Sequence, residues 1–333
     1  MAISMIPPEG AAAFISAAGW DNAEIVPLAG DASFRRYFRV VRGEHSAVLM
    51  DAPPPHEDPR PFINIAEHLT AQGFSAPEIL ARDLEQGLVL IEDFGSERMR
   101  EVIEQFPGQE RAIYEGVVDL LVDLHTKPAA PIRLYDRNEY QRETGLLTEW
   151  YCPEVGLDDV DSQGFIAAWD AVLAPVLEQQ NPPVTVLRDY HAENIMLVGE
   201  RSGHARWGLL DFQDALAGHP AYDLVSVLED ARRDVPTQLE AAMLDRYCAA
   251  SGAGQAFRDA YWVLGAQRNT KILGIFTRLA RRDGKTHYLG YQPRMWGLLE
   301  RDLAHAALGP VKDWFDANIP ADKRAAFWEA SAA

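Results

Sequence analysis

The sequence predicts an α+β protein of two lobes, a small antiparallel β lobe with one helix followed by a larger, mainly helical lobe. Three observations lead to this fold class. Runs rich in β-forming residues, separated by turn residues, fill most of residues 25–92. Apolar residues recur at helical spacing over much of residues 97–333. The chain has 333 residues, which is more than one globular core usually holds.

The first lobe is expected to span residues 1–92, with Asp93–Ser96 as the hinge linker to the second lobe. Prolines 53–55 interrupt its β pattern, and Phe62 and Leu69 belong to an apolar helical face. In chain order we predict a short helix at 8–20, two β runs within 25–41, a strand at 47–50, a helix at 62–69, and strands at 78–82 and 88–92.

The second lobe, residues 97–333, is expected to be helical over most of its length. Ile113, Val117, Leu121 and Leu124 form one apolar face, and Pro128 marks the end of that helix. Further helices are predicted at 165–177, 221–232, 238–251, 257–282 and 292–307.

The composition excludes several classes of protein. The chain carries 31 basic and 50 acidic residues, a net charge of −19, which argues against nucleic acid as the main partner. No run approaches the roughly 20 apolar residues of a membrane span, and the start lacks a basic signal-peptide region. The two cysteines, Cys152 and Cys248, lack metal-ligand spacing. We expect a cytoplasmic monomer that acts on a small molecule, with neither nucleic acid nor a membrane as partner.

The stretch from Val184 to Ala215 carries the chemistry. Two short apolar runs end in aspartates, Asp189 after Arg188 and Asp211 after Leu210, and Asn194 lies between them. Phosphoryl transfer with magnesium needs one carboxylate for the acceptor hydroxyl and two oxygen ligands for the metal, which this set supplies. The D-x-x-x-x-N spacing, followed by an apolar strand and D-F-x, matches the catalytic and metal loops of protein-kinase-like enzymes. A plain hairpin with polar turns is the structural alternative.

Taken with the two-lobe pattern, the motifs DYHAEN and LLDFQDA resemble the aminoglycoside phosphotransferase and choline kinase branch of the protein-kinase-like fold, over roughly Leu28 to His305. Longer segments, among them LAGDASFRRYFRV, VLMDAPPP and AQRNTKILGIFTRLARRDGKTHYL, are similar to the bacterial kinases that phosphorylate the anomeric hydroxyl of N-acetylmuramate and N-acetylglucosamine in cell-wall recycling. The resemblance implies an ATP- and Mg²⁺-dependent sugar kinase that forms the α-1-phosphate.

The resemblance also implies a role for each motif residue. The first lobe would bind the nucleotide, and the second would hold the base and the acceptor. Asp189 would be the catalytic base, Asn194 and Asp211 would hold Mg²⁺, and Asp223 would brace the catalytic loop. The nucleotide site would consist of Gly30, Asp31, Ala32 and Ser33 over the phosphates and of Ile91, Glu92 and Phe94 at the adenine.

Two positions depart from the family pattern. Before Asp189, Leu187 and Arg188 replace the usual histidine-glycine. The other departure is at the end of the third strand. Related kinases end the third strand in a lysine that contacts the nucleotide phosphates, whereas this chain has Met50. Arg35, Arg36 and Arg39 follow the phosphate turn, and guanidinium groups bind phosphate oxygens well. We assign the phosphate-binding role to Arg36. The alternative is that these arginines are charges on an exposed face of a hairpin.

The acceptor site is predicted from cations close to the proposed base. Arg188 precedes Asp189, while Arg268 and Lys271 recur on a late helix. If these side chains face the acceptor, they suit a carboxylate such as the lactyl group of N-acetylmuramate; otherwise they are ordinary helix cations. The other predicted acceptor residues are Glu193, Trp150 and Tyr151, the two aromatic residues serving either to stack on a sugar or to pack in the core.

Two other functions stay open at this level. The first is a kinase for another small hydroxyl acceptor, such as an aminoglycoside, choline, homoserine or a fructosamine. The second is a non-catalytic pseudokinase, which Met50 favours. The intact set of Asp189, Asn194 and Asp211 argues against the second function, because a scaffold needs neither a base nor metal ligands.

Overall fold

The computed structural model describes residues 6–28 and 35–327. Its Cα positions group into two compact units, which we call the β unit and the helical unit. The β unit comprises Met1–Gln109 and Glu193–Ala215, and the helical unit comprises Glu110–Ala192 and Leu216–Ala333. The chain therefore passes from the helical unit back into the β unit for one segment, whereas the sequence-based division at residues 93–96 assigned that segment to the second lobe.

A five-stranded antiparallel sheet forms the framework of the β unit. The elements of this part of the chain are α1 (Ala11–Ala17), β1 (Glu24–Pro27), β2 (Arg36–Arg42), β3 (His45–Asp51), α2 (Arg60–Ala71), β4 (Ile79–Asp83), β5 (Leu88–Glu92) and α3 (Met99–Gln105). The strand order is β1-β2-β3-β5-β4, and every neighbouring pair is antiparallel. The predicted sheet is confirmed.

The two faces of this sheet differ because side chains alternate along each strand. Phe38 and Val40 of β2 and Leu49 of β3 point to one face, where they form a buried cluster with Ile15 of α1. Tyr37, which lies between Arg36 and Phe38, points to the other face. Its cross-strand partner Met50 is fully buried.

Four short strands precede and follow the proposed catalytic loops along the chain. They are β6 (Val184–Val186), β7 (Ile195–Leu197), β8 (Trp207–Leu209) and β9 (Leu216–Gly218). Within the helical unit β6 pairs with β9, and within the β unit β7 pairs with β8. The two apolar runs seen in the sequence, now β6 and β8, do not pair with each other, so the plain hairpin is excluded. Sequence periodicity did not indicate β7 and β9, since three residues are too few to show alternation.

Backbone hydrogen bonds explain why the β7–β8 segment belongs to the β unit. The N–H of Leu197 donates to the Glu97 carbonyl at 2.8 Å, and the N–H of Leu209 donates to the Ser75 carbonyl at 2.7 Å. Both acceptors lie in the first 109 residues of the chain. The segment thus extends the β unit through contacts that are distant in sequence.

The helical unit is organised around one long central helix. Its helices are α4 (Glu110–Leu124), α5 (Arg137–Leu146), α6 (Cys152–Glu154), α7 (Ser162–Glu178), α8 (Ala221–Leu228), α9 (Thr237–Ser251), α10 (Gln255–Arg282), α11 (Gln292–Leu303), α12 (Gly309–Asn318) and α13 (Ala321–Arg324). A Cβ at Gly274 of α10 would lie 2.3 Å from the carbonyl carbon of Leu146, so glycine permits this close approach to α5. None of the helices in residues 6–28 and 35–327 is long and apolar enough to cross a membrane.

His219, directly after β9, is a buried neutral side chain. It is 2% exposed, and its Nδ1 accepts a hydrogen bond from the Ala221 N–H at 3.1 Å. Burial lowers the pKa of His219 to about 4. In the unfolded chain the pKa of histidine is about 6.5, so at intermediate pH the unfolded state binds more protons than the folded state.

Folding stability is therefore expected to fall as the pH falls from about 6.5 to about 4, by up to about 3 kcal/mol for this one group. We expect His219→Asn, which retains a hydrogen-bond acceptor but does not titrate, to lose less stability over that range than the parent chain. Urea unfolding at several pH values measures the difference. Equal pH dependence in the two proteins would contradict the buried neutral state of His219.

Candidate active site

The loop that carries Asp189 follows β6 in the helical unit and is held by Asp223 of α8. The two carboxylate oxygens of Asp223 accept the N–H groups of Leu187 and Arg188 at 2.7 and 2.8 Å. Arg188 adopts a φ of +72°, a left-handed conformation that is uncommon outside glycine. Burial raises the pKa of Asp223 to about 7, although both hydrogen bonds act in the opposite direction. Asp223 thus fixes the turn from which Asp189 projects.

Asp189 lies in a cationic environment. Burial by itself would raise the pKa of Asp189, but Lys271, His191 and Arg188 lower it below the ordinary value of an aspartate, with a smaller contribution from Arg268. The side chain is therefore an ionised carboxylate at neutral pH. In this state it is able to accept a proton from a hydroxyl group.

The cations beside Asp189 are held by Glu143, a residue that the sequence analysis did not identify. Glu143 lies on α5 and is completely buried. Its Oε1 accepts hydrogen bonds from Lys271 Nζ, at 2.9 Å, and from Arg188. The Tyr135 hydroxyl and Gln267 Nε2 donate to its Oε2, the latter at 3.2 Å. Burial opposes ionisation, yet Lys271 and Arg188 hold the pKa of Glu143 below its usual value.

Glu143 was missed because α5 contains several charged residues and helical spacing does not distinguish among them. Its neighbour Glu139 pairs with Arg142 and Arg133, whose side chains are 57% and 62% exposed. Glu143 instead pairs most closely with Lys271 and Arg188, whose side chains are 11 and 12% exposed, while the exposed Arg142 lies farther away, at 3.9 Å. Tertiary packing alone separates these two glutamates.

The other predicted acceptor residues have different surroundings in the structure. Arg268 is 4% exposed and donates to the Glu229 carbonyl at 3.4 Å, and its charge contributes to lowering the pKa of Asp189. Glu193 lies in the β unit, where its carboxylate pairs with Arg100 of α3 at 2.5 Å. This ion pair supplies a structural role for Glu193 within the β unit.

Trp150 and Tyr151 occupy one turn of π-helix, Leu147–Tyr151, that follows α5. Tyr151 is completely buried; its hydroxyl donates to the Lys323 carbonyl at 2.7 Å and accepts the indole N–H of Trp296 at 2.8 Å. Core packing, one of the two roles left open for Tyr151, is the role that it has here. Trp150 is half-buried, and its indole N–H meets no acceptor in the described ranges 6–28 and 35–327.

Asn194 and Asp211 lie together at one end of the β7–β8 hairpin in the β unit. The strand register pairs Ile195 with Leu209, and the Leu210 N–H donates to the Asn194 carbonyl at 2.9 Å. Asp211 follows with a φ of +57°, which turns the chain out of the strand. The Asp211 side chain is 45% exposed.

This pair has the chemistry that Mg²⁺ requires. A carboxylate and an amide supply hard oxygen ligands, and proteins usually bind Mg²⁺ through one or two carboxylates together with phosphate and water oxygens. In the described part of the chain no three His, Cys, Asp or Glu side chains gather as a metal site. Asn194 and Asp211 would hold the metal together with phosphate and water oxygens.

The predicted adenine-binding residues are at the end of β5 and just beyond it. Ile91 is 4% exposed and pairs with Val48 of β3. The Glu92 carboxylate pairs with Arg201, whose guanidinium carbon also lies 5.4 Å from the centre of the Phe94 ring. A Cβ at Gly208 would lie 2.6 Å from that ring. The predicted phosphate turn, Gly30, Asp31, Ala32 and Ser33, lies outside the described residues.

Arg36, our sequence-based choice for the phosphate-binding cation, has another partner. Its Nε and terminal nitrogen bond the Asp51 carboxylate at 2.7 and 2.5 Å, and Asp51 is 1% exposed. The β2–β3 register places these two residues opposite each other. The Arg36 guanidinium is thus ion-paired with a buried carboxylate, and the structure does not favour Arg36 for phosphate binding.

Solved structures and a family description identify the class of protein. The fold is similar to that of a choline/ethanolamine kinase family protein from Mesorhizobium loti, with a TM-score of 0.61, 16% identity, and coverage of 91% of this chain and 97% of that one. It is also similar to the APH(2″)-IIa chain of a streptomycin–ATP ternary complex, with a TM-score of 0.56, 12% identity, and coverage of 80% and 90%. These similarities show a protein-kinase-like fold. Residues 24–261 match the phosphotransferase enzyme family, and the chain belongs to this family.

Relatives of higher identity narrow the class. The N-acetylmuramate/N-acetylglucosamine kinase of Caulobacter vibrioides is 38% identical, in an alignment that covers 94% of this chain and 97% of the relative. The kinase of the same name from Pseudomonas aeruginosa is 38% identical over 304 residues, covering 86% and 87%. The resemblance inferred from the sequence is confirmed, and the protein is a phosphotransferase homologous to these kinases.

Proposed function

We propose that the protein transfers the γ-phosphoryl group of ATP to the anomeric hydroxyl of N-acetylmuramate and N-acetylglucosamine, forming α-1-phosphates in cytoplasmic peptidoglycan recycling. The observation that carries the proposal is the 38% identity to a kinase named for both sugars, over nearly the full length of both chains. The ionised state of Asp189 and the oxygen ligands Asn194 and Asp211 support phosphoryl transfer to a hydroxyl group.

Asp189 is the proposed base. Its carboxylate accepts the proton of the sugar hydroxyl while the hydroxyl oxygen bonds to the γ-phosphorus and the bond from that phosphorus to ADP breaks. An anomeric hydroxyl is more acidic than an ordinary alcohol, so a carboxylate with a lowered pKa is adequate. Asp223 contributes indirectly by holding the turn at Arg188. Alignment of the two reactants supplies much of the acceleration.

The β unit is the proposed nucleotide site. Asn194 and Asp211 would hold the Mg²⁺ that neutralises charge on the phosphates. Gly30, Asp31, Ala32 and Ser33 are proposed to cover the phosphates, and the backbone at Ile91, Glu92 and Phe94 to meet the adenine.

Arg188 and Lys271 are the proposed acceptor-binding cations. Both are ion-paired with Glu143 and both act on Asp189, so they already surround the place where the base projects. Arg188 and Lys271 balance the carboxylates of Glu143 and Asp189, and Arg142, 3.9 Å from Glu143, and Arg268, which acts on Asp189, add positive charge. This excess suits recognition of a further anion such as the lactyl carboxylate of N-acetylmuramate. The indole N–H of Trp150 is a candidate donor to the sugar.

Phosphorus NMR of the reaction mixture tests the proposal. With Mg²⁺, ATP and either sugar, we expect ADP together with a new resonance coupled to the anomeric proton, and an equal loss of reducing ends. ADP without loss of reducing ends would exclude the anomeric position. A panel of choline, homoserine, a fructosamine and an aminoglycoside separates the other acceptors in the same assay.

A further inference from the structure

Arg35 is a nearly buried cation close to the proposed metal ligand. It directly precedes β2; its Nε lies 3.7 Å from the Glu57 carboxylate, and a terminal nitrogen lies 4.0 Å from Asp211 Oδ1. Its side chain is 10% exposed. A guanidinium stays charged in a protein, so its burial requires nearby anions, which Glu57 and Asp211 supply.

Arg35 also lies on the relevant face of the sheet. Tyr37 points away from the α1 face, and its cross-strand partner is Met50, the position at which related kinases have a lysine. Burial raises the pKa of Tyr37 to about 12, and Arg35, Asp211 and Glu57 are the charged groups that act on it. Arg35, with Glu57 and Asp211 at 3.7 and 4.0 Å, thus lies near Tyr37, the cross-strand neighbour of position 50.

The other two arginines of this run are directed elsewhere. Because side chains alternate along β2, Arg36 lies on the same face as Phe38, the α1 face, and it bonds Asp51. Arg39, in the middle of β2, donates to the Asp93 carboxylate at 3.1 Å and to the Gly95 carbonyl at 2.9 Å. Of the three candidates named from the sequence, Arg35 is the one that lies near Asp211.

We propose that Arg35 binds the β- and γ-phosphates of the nucleotide and so takes the role that a strand lysine has in related kinases. This inference rests on the proposed function, because it requires ATP as the donor. Asp211 would hold the metal ion that neutralises the nucleotide phosphates, and the Arg35 guanidinium lies 4.0 Å from the same carboxylate. The planar N–H groups of arginine can bond two phosphate oxygens together, and Glu57 holds the group in place.

Titration calorimetry with Mg·ATP, Mg·ADP and AMP tests the proposal on the full chain. Arg35→Met is expected to weaken ATP and ADP binding roughly 10- to 100-fold and to change AMP binding by less than about twofold, because AMP has no β- or γ-phosphate. Arg35→Lys should retain an intermediate affinity for ATP. Arg42→Met, at the far end of the same strand, is the matched control and should bind all three nucleotides like the parent.

The outcomes separate this inference from the proposed function. Parent-like ATP affinity in Arg35→Met would overturn the role of Arg35 and leave the proposed function intact. An equal loss of affinity for AMP and for ATP would also overturn the role of Arg35, because that result indicates damage to the adenine site. If circular dichroism shows that Arg35→Met does not fold, the ratio of ATP affinity to AMP affinity in Arg35→Lys serves as the test. A parent-like ratio would overturn the proposal. A parent chain that binds no ATP would overturn both.

Discussion

Replacing Asp189 with asparagine is expected to lower kcat roughly 10²- to 10⁴-fold and to change the affinity for Mg·ATP by less than about twofold. Asparagine has nearly the shape of aspartate, but its amide cannot take up the proton of the attacking hydroxyl. The carboxylate that it replaces is ionised, because the surrounding cations hold the pKa of Asp189 below its usual value. Nucleotide affinity is preserved because the proposed nucleotide residues belong to the β unit.

Steady-state ADP release and titration calorimetry measure the two quantities on the same preparation. Asp170→Asn is the matched control: Asp170 is in the same unit, on α7, and pairs with the exposed side chain of Arg137. It should retain parent activity. Turnover of Asp189→Asn at the rate of that control would refute Asp189 as the base.

Replacing Glu143 with glutamine is expected to lower the free energy of unfolding by about 3–5 kcal/mol. Glu143 is completely buried and holds Arg188 and Lys271, whose side chains are 12 and 11% exposed. Without the carboxylate, two cations remain close together with little access to water. Removing one member of a buried ion pair is costly for this reason, even where the intact pair adds little net stability.

Glu139→Gln on the same helix is the control, with an expected loss smaller than that of Glu143→Gln. Glu139 is itself 8% exposed, but its arginine partners are 62 and 57% exposed and stay solvated when the carboxylate is removed. Urea unfolding followed by tryptophan fluorescence compares the variants. The double variant Glu143→Gln, Lys271→Met should recover part of the loss, since it removes one uncompensated charge. Similar unfolding midpoints for the two glutamate variants would contradict the buried cluster.

Local sequence patterns predicted most of the β unit. The alternation of β2, the continuous apolar runs of β3 and β5 and the apolar helical face of α2 need only residues that are close in the chain, so the five strands could be predicted. The helix bounds were within a few residues, with α8 ending at Leu228 rather than at the predicted residue 232. There the Asp230 carboxylate accepts the Arg232 N–H and the Ala192 N–H, a non-local contact that no periodicity reveals.

In the candidate active site, too, local patterns identified residues but not their non-local contacts. Asp189, Asn194 and Asp211 were recognisable because phosphoryl transfer with Mg²⁺ requires those residue types and because the D-x-x-x-x-N and D-F-x motifs place them in a familiar order. The partner of each cation was not recognisable. Arg35 and Arg36 are adjacent in the chain, yet strand alternation and cross-strand register direct one toward Asp211 and the other toward Asp51.

The sequence by itself determined the fold class, the family and the residues proposed for base and metal, since these depend on local periodicity and on motif spacing. Only the tertiary structure decided that Glu143 holds the cations at Asp189, and that Arg35 rather than Arg36 is near Asp211. The physical reason is that ion pairing depends on which charges are buried together. Residues as distant in the chain as Glu143 and Lys271 meet only after the helices pack.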